Sequence, residues 1–264
     1  MLSNISRTCS VLLTSPSEMQ PTPEQVKPYD NSRGKTEQVR EMFDNIAPAY
    51  DLLNRAMSFG LDRSWRAKAV GMVAATHPAS IVDIATGTGD FAISLARAIP
   101  EATVTGLDLS EGMVAIGRRK VEKAGLSPRI TMMAGDCLDS PLPEGCADAI
   151  TVAFGVRNFA DLRAGYAAMY RMLRPGGMLC VIELSVPASA WVRPFYNLYT
   201  RGIIPVMGRI VSSDSRAYTY LPESIAAVPC RENMCRLMTE AGFIRASYRS
   251  LTLGVCTIYT AIKP

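Results

Sequence analysis

The stretch Ile81-Val-Asp-Ile-Ala-Thr-Gly-Thr-Gly-Asp90 decides the fold. Ile81 to Ala85 is a short apolar run and reads as a buried strand. After Thr86, Gly87-Thr88-Gly89 opens a helix that runs through Ala98. Glycines at such a junction permit a tight turn and let a ligand approach the backbone closely. Asp83 is out of character in this run. A carboxylate inside an apolar strand is costly unless it has a partner. The α-amino group of a bound ligand, reached directly or through water, is one candidate.

Outward from this core the pattern repeats. Thr103 to Leu107 is a second strand that ends at Asp108, 19 residues after Gly89. A carboxylate at that place can accept from both hydroxyls of a ribose. Ser110 can cap the helix from Glu111 to Lys123. Ile130 to Ala134 is a third strand, followed by Asp136. The Asp136 carboxylate can accept from an adenine amine; a helix cap or loop role is an equal alternative. Gly87, Gly89 and Ala92 also satisfy the dinucleotide fingerprint G-x-G-x-x-G/A. A nicotinamide oxidoreductase is therefore the rival from another reaction class. The third alternative is an ordinary strand-helix turn, against which Asp83 weighs.

Ala149 to Phe154 is the fourth strand, and Asp161 to Leu173 a helix stopped by Pro175-Gly176-Gly177. Met178 to Leu184 is the fifth strand. Ala246 to Leu253 and Val255 to Ile262, separated by Gly254, read as a terminal hairpin. Repeated βαβ units imply an α/β fold with a mostly parallel sheet and helices on both faces. Before it, Thr36 to Val73 is helical, with Val39, Met42, Phe43 and Ile46 at helix spacing and Pro48 as an interruption. Residues 18–35 are rich in proline and polar residues and read as a linker.

The bulk numbers bound the function classes. In 264 residues, 48% are hydrophobic, so a sizeable core is available. The net charge of +4 is mild and does not indicate nucleic acid. Seven scattered cysteines with no C-x-x-C pair fit a reducing compartment rather than a disulfide framework. His77 is the single histidine, which disfavours zinc chemistry and His-based triads, and no metal site is expected. No apolar run approaches the ~20 residues needed to span a bilayer. Residues 1–17 carry Arg7 and no acid, a composition shared by transit peptides. The simpler reading is a disordered tail, or a start placed too early, with Met19 as the true start.

Three blocks carry a resemblance. They are Met42-Phe-Asp-Asn-Ile-Ala-Pro-Ala-Tyr-Asp-Leu-Leu-Asn54, continuing through Met57-Ser-Phe-Gly-Leu-Asp-Arg-Ser-Trp65; Asp83 to Asp90; and Phe154-Gly-Val-Arg-Asn158 with Arg174 to Ser185. From Lys35 onward the chain resembles the menaquinone/ubiquinone-biosynthesis C-methyltransferase family. The second block is generic to methyltransferases of this fold; the first and third are specific to the family. The resemblance implies a Rossmann-like class I fold: a central, mostly parallel seven-stranded sheet with a C-terminal antiparallel hairpin. It implies S-adenosyl-L-methionine as cofactor and a prenylated quinol as substrate. Demethylmenaquinol is the first choice of acceptor and a 2-methoxy-6-polyprenyl-1,4-benzoquinol the second. It places a disordered tail and linker at 1–34 and the methyltransferase domain at 35–264. Within that domain, 35–75 form a helical cap and 191–230 a helical insertion over the substrate site. A cytoplasmic protein is expected, with peripheral contact at the inner face of the membrane; a homodimer is compatible.

By motif, Thr88 and Asp108 match the family's cofactor contacts, with Gly87, Gly89 and Asp83 around them. Asp136 and Cys137 match the pair after the third strand. Ala153 stands where some members have a serine that contacts the cofactor. Asp62 stands where other members have histidine, so no imidazole acts there. Tyr50 and Asn54 are expected to help close the cofactor pocket, with Asn54 also a substrate contact; helix packing is an equal alternative for both. Arg157 and Asn158 are the catalytic candidates at the carboxyl edge of the sheet. Arg157 is expected to stabilise a phenolate and Asn158 to orient a ring oxygen; a salt bridge fixing the loop is the competing role for Arg157. Water, or a carboxylate such as Asp44 or Asp51, is expected to take the proton. The stretch Trp191 to Val211 is aromatic, carries arginines and lacks acids. Tyr199 and Ile203 are its candidates for the prenyl tail, and Pro205 is expected to break its helix.

Overall fold

The computed structural model describes residues 21–204 and 216–264. The tail of residues 1–20 and the break expected at Pro205 lie outside the described residues.

Seven strands form one sheet in the order β3-β2-β1-β4-β5-β7-β6. They are β1 (Ser80–Ile84), β2 (Thr103–Asp108), β3 (Ile130–Ala134), β4 (Ala147–Ala153), β5 (Leu173–Leu184), β6 (Ile244–Leu251) and β7 (Cys256–Ile262). The first five are parallel. β7 runs antiparallel between β5 and β6. The chain works outward from β1 through β2 to β3, then returns to place β4 on the other side of β1. A crevice opens where the order reverses, at the carboxyl ends of β1 and β4.

The central strands read as continuous apolar runs because helices cover both faces. One face is closed by α3 (Leu61–Ala74), α4 (Asp90–Ala98) and α5 (Glu111–Lys123), whose Val73, Phe91, Leu95 and Val114 pack on Ile81 and Val104. The other is closed by α6 (Leu162–Met172) and α9 (Glu232–Glu240), which bury Tyr166, Met169, Met234 and Met238. Ser110 caps α5 as its sequence suggests, its Oγ accepting from Met113 N at 3.0 Å.

Two turns needed more than periodicity to read. The N-terminal helical stretch is three helices: α1 (Lys35–Ile46), α2 (Tyr50–Met57) and α3. Pro48 sits in a single 3-10 turn between the first two, and Gly60, at φ +74°, separates α2 from α3. β5 starts at Leu173, earlier than expected. The Pro-Gly-Gly stop ends α6 but does not form a loop: Gly176 N donates to Lys263 O at 2.8 Å and Lys263 N to Gly177 O at 3.0 Å.

Residues 21–34 also depart from the linker their composition suggests. Pro23 and Val26 are buried. Gln38 Oε1 accepts from the N–H groups of Tyr29 and Asp30, and its Nε2 donates to Asp30 O. Buried Lys35 donates to Pro23 O at 2.6 Å and to Arg157 O at 2.9 Å. The segment is a strap across the cap. The insertion contributes α7 (Arg193–Leu198), a π-turn over Tyr199–Ile203 and α8 (Arg216–Ala227).

Candidate active site

Two cavities open at the reversal point, and they share two residues, Tyr50 and Phe154. The first has a volume of about 700 Å³. Its floor is the ends of β1 and β2: Ala85, Gly87 and Asp108. Its walls are Leu109 after β2 and Met113 in α5, Asp136 and Cys137 after β3, and Ala153 at the end of β4 with Asn158 and Phe159 beyond it. Tyr50 closes it from the cap. Gly87 and Gly89 take left-handed backbone, φ +57° and +80°, which their lack of a Cβ permits.

Asp108 is held in place by two backbone donors, Gly87 N at 2.7 Å and Ser110 N at 2.9 Å. Burial raises its carboxyl to about 6, against the pull of those two N–H groups, and the Asp44 carboxylate adds to the rise. Burial also pushes the Cys137 thiol up to about 12 and raises the Tyr50 hydroxyl. Asp83, Thr88 and Gly89 stand behind this wall and do not line it. Asp83 accepts from Thr86 Oγ1 and Thr151 Oγ1, both at 2.6 Å, inside the protein. Burial holds it at about 6. Thr88 Oγ1 donates to Asp51 at 2.6 Å and accepts from Lys120 Nζ at 3.0 Å.

The cavity fits an adenosyl group. A fixed carboxylate faces it at the end of β2. Apolar Leu107, Leu109, Met113 and Phe159 provide a slot for a flat base, and Asp136 stands at its rim. Asp136 also accepts from Leu138 N at 2.9 Å, so the turn role coexists with a place on the wall.

The second cavity is larger, about 1230 Å³, and mostly apolar. It lies between α2 and α3 on one side and the insertion on the other. Met57, Trp65, Leu184, Tyr196, Ile204 and Leu221 are among its walls. Asn54 and Tyr199, the acceptor candidates, line this cavity, and Asn54 does not line the first one, which it was expected to help close; Ile203 lines neither and is half-exposed. The π-turn shifts the helix phase, so Ile204 is the inward residue. Tyr199 OH donates to Met57 O at 2.6 Å, and the Tyr199 and Phe59 rings lie 5.5 Å apart. These contacts tie the insertion to the cap.

Arg157 lines this second cavity. It is buried and also makes the salt bridge that was the competing role: Nη1 to Glu183 Oε1 at 2.8 Å, with a further bond to Phe154 O. The nearby Glu183 carboxylate keeps the guanidinium charged against the cost of burial. Its Nε has no hydrogen-bond partner among the described residues. Asn158 lies on the first cavity rather than the second, with its Oδ1 accepting from Tyr220 OH at 3.1 Å. The expected proton acceptors Asp44 and Asp51 do not reach either cavity. Asp44 accepts from Ser110 Oγ at 2.5 Å and Gly112 N at 3.0 Å, and Asp51 pairs with Lys120 at 2.8 Å. Both latch the cap to the core.

Glu183, Phe154 and Trp65 belong to the site and were not singled out in the sequence. Glu183 had a signal: it is a carboxylate in the apolar run Met178 to Leu184, the same anomaly that marks Asp83. Phe154, with left-handed φ +60° at the end of β4, had none.

Residues 31–263 match the model of the ubiE/COQ5 methyltransferase family. The chain belongs to that family. It is an S-adenosylmethionine-dependent methyltransferase. It is 49% identical over 243 residues to the demethylmenaquinone methyltransferase of Porphyromonas gingivalis, covering 92% of this chain and 99% of that one. With the demethylmenaquinone methyltransferase of Bacteroides fragilis it shares 46% identity over 240 residues, 91% and 98% of the two chains. A ubiquinone/menaquinone biosynthesis C-methyltransferase of Geobacter sulfurreducens is 42% identical over 230 residues, 87% and 90% of the two. Among solved structures, the [4+2]-cyclase SpnF superposes with a TM-score of 0.64 at 17% identity, over 87% of this methyltransferase and 96% of SpnF. That last likeness is one of fold.

Proposed function

We propose that this methyltransferase transfers a methyl group to a ring carbon of demethylmenaquinol, giving menaquinol. The observation that carries the reading is the pair of cavities meeting at Tyr50 and Phe154. One is suited to an adenosyl group and the other is apolar and large enough for a bicyclic ring with the start of a prenyl tail. The relatives of 46–49% identity named for this acceptor favour naphthoquinol over benzoquinol.

Bound S-adenosylmethionine supplies an electrophilic methyl group. Asp108 is assigned to the ribose hydroxyls, Asp136 to the adenine amine, and Gly87, Cys137 and Ala153 to the walls. Asp83, Thr88 and Gly89 hold the glycine turn from behind. The acceptor carbon is nucleophilic mainly when the neighbouring hydroxyl loses its proton. For a phenol near pKa ~10 that costs roughly 4 kcal/mol at pH 7. Arg157 answers part of this cost. An unpaired buried donor carries a penalty of about 1–3 kcal/mol, and a phenolate oxygen at the guanidinium relieves it. Glu183 keeps the guanidinium in place. Asn158, held by Tyr220, acts from the cofactor side. Tyr50 stands between the cavities and excludes water from the transfer path. The proton leaves to water, since Asp44 and Asp51 are committed elsewhere.

The prenyl tail follows Asn54, Tyr199 and Ile204 outward. The protein therefore works as a peripheral one, at the inner face of a membrane. No helix among the described residues is long and apolar enough to cross one.

The test offers both quinols, kept reduced, with labelled donor, and identifies the product by mass spectrometry. Label on the naphthoquinol ring at a rate at least roughly tenfold above the benzoquinol is expected. Preferred labelling of the benzoquinol would move the assignment to ubiquinone biosynthesis; labelling of neither would refute it.

A further inference from the structure

We infer that Asp62, with Ser58, makes the acceptor cavity selective for the reduced quinol over the oxidised quinone. The inference rests on the acceptor reading proposed above. Asp62 is the one carboxylate among the described residues on the wall of the second cavity. It lies in the first turn of α3 and is buried. Its Oδ1 accepts from Ser58 Oγ at 2.7 Å, and its Oδ2 accepts from Arg66. Ser58 and Arg66 line the same cavity.

The chemistry of this wall is that of an acceptor. An ionised carboxylate offers about four lone-pair sites and no donor. Ser58 and Arg66 occupy two of them, so two remain. The single Ser58 hydroxyl proton is committed to Asp62, which leaves the Ser58 oxygen with lone pairs. Arg66 is drawn between two carboxylates, Asp62 and, at 3.7 Å, Asp90. Arg157, on the same cavity, is donor-only. The site thus offers Arg157 as donor to one ring oxygen and the Asp62–Ser58 acceptor pair to the other, with the Arg66 guanidinium, a second donor on this wall, held by Asp62 and Asp90.

The two oxidation states of the ring differ in this property. A quinol carries a hydroxyl on each of two para oxygens. One can lose its proton beside Arg157, and the other can donate to Asp62 or Ser58. A quinone carries two carbonyls, which only accept. Its second oxygen would meet lone pairs, and one polar group on each side would be left unpaired. A buried polar group that loses its partner discriminates far more strongly than a difference in apolar contact. The discrimination is useful here, because only the reduced ring has a carbon nucleophilic enough to take a methyl group. A bound quinone blocks the site.

The test measures dissociation constants with the full chain and S-adenosylhomocysteine present. The probes are short-tailed demethylnaphthoquinol under reducing anaerobic conditions and its oxidised form. The wild type is expected to bind the quinol at least roughly tenfold more tightly. In Asp62→Asn the amide can donate to a carbonyl. The ratio is expected to fall at least tenfold, chiefly through tighter quinone binding. In Ser58→Ala it is expected to fall about threefold. A purely structural role for Asp62 would weaken both forms together and leave the ratio alone. Binding of both forms with an unchanged ratio in Asp62→Asn overturns the inference. If that variant does not fold, as read by circular dichroism, an unchanged ratio in Ser58→Ala overturns it. Failure of the wild type to bind either form sinks the acceptor reading instead.

Discussion

In the role proposed for it, Asp108 makes donor binding depend on pH. Desolvation raises its carboxyl to about 6, from an ordinary value of 3.8. On the proposed assignment ribose hydroxyls donate to the ionised form, so binding favours deprotonation. Above pH 6 the carboxylate is already ionised and affinity is at its plateau. Below pH 6 the group must first lose its proton, and affinity is expected to fall about tenfold per pH unit. Asp83, also near 6, stands behind the same wall and titrates with it, so a control is needed. Asp108→Asn supplies one. It removes hydrogen bonds to a charged group, worth about 1.5–3 kcal/mol each, so affinity at pH 7.5 should drop at least roughly tenfold. Its remaining pH dependence between 5 and 7.5 should be flat. Titration calorimetry with S-adenosylhomocysteine decides; a wild-type slope retained in the variant would move the titration to Asp83.

Among the elements, the strap and the cap are where sequence reading reached its limit. The parallel strands were legible because each is an apolar run ending at a turn, and the glycine turn is local. The cap was legible only as one helical stretch, because 3.6-residue periodicity continues across Pro48 and Gly60. The latches were not legible at all. Asp44 meets Ser110 and Asp51 meets Thr88, partners far away in sequence, and nothing local distinguishes a latch from a base. The strap has the composition of a linker because its polar groups are satisfied by one helix, through Gln38 and Lys35. Lys35 is the most informative of these. Burial lowers its amine to about 8, and its two bonds join the strap to the backbone of Arg157. Lys35→Met leaves the Arg157 carbonyl unpaired and Pro23 O with Val26 N alone, at 3.3 Å. It should cost about 1.5–3 kcal/mol in urea unfolding and lower turnover by loosening the Arg157 turn. A stability change under 0.5 kcal/mol, roughly the ordinary surface range, would show that the strap adds nothing.

At the scale of the whole molecule, exposed apolar side chains stand next in the chain to residues that line the acceptor cavity: Trp191 beside Val192, Leu198 beside Tyr199 and Leu253 beside Thr252. Trp191 is 88% exposed, Leu253 76% and Leu198 68%. Phe59 and Phe195, also exposed, line the cavity beside them. Large apolar side chains gathered beside one cavity mark an interaction surface rather than chance exposure. On two of the segments that flank it, the exposed charges are of one sign. The exposed charged residues from 52 to 68 are Arg55, Arg63 and Lys68, and residues 184–204 contain no acid. An anionic lipid surface complements both features, and it is where a prenyl tail resides. The protein is therefore expected to float with vesicles containing phosphatidylglycerol and much less with phosphatidylcholine alone. Raising salt to 0.5 M should weaken the association, because exposed charges are screened within a few ångströms. Trp191→Ser and Leu198→Ser sit outside both cavities and should leave methylation of a short-tailed soluble quinol intact. Each should lower partitioning roughly tenfold, the equivalent of about 1.5 kcal/mol of apolar burial. Activity on a long-tailed quinol embedded in vesicles should fall in step. Equal flotation of wild type and both variants would place the membrane contact elsewhere on the molecule.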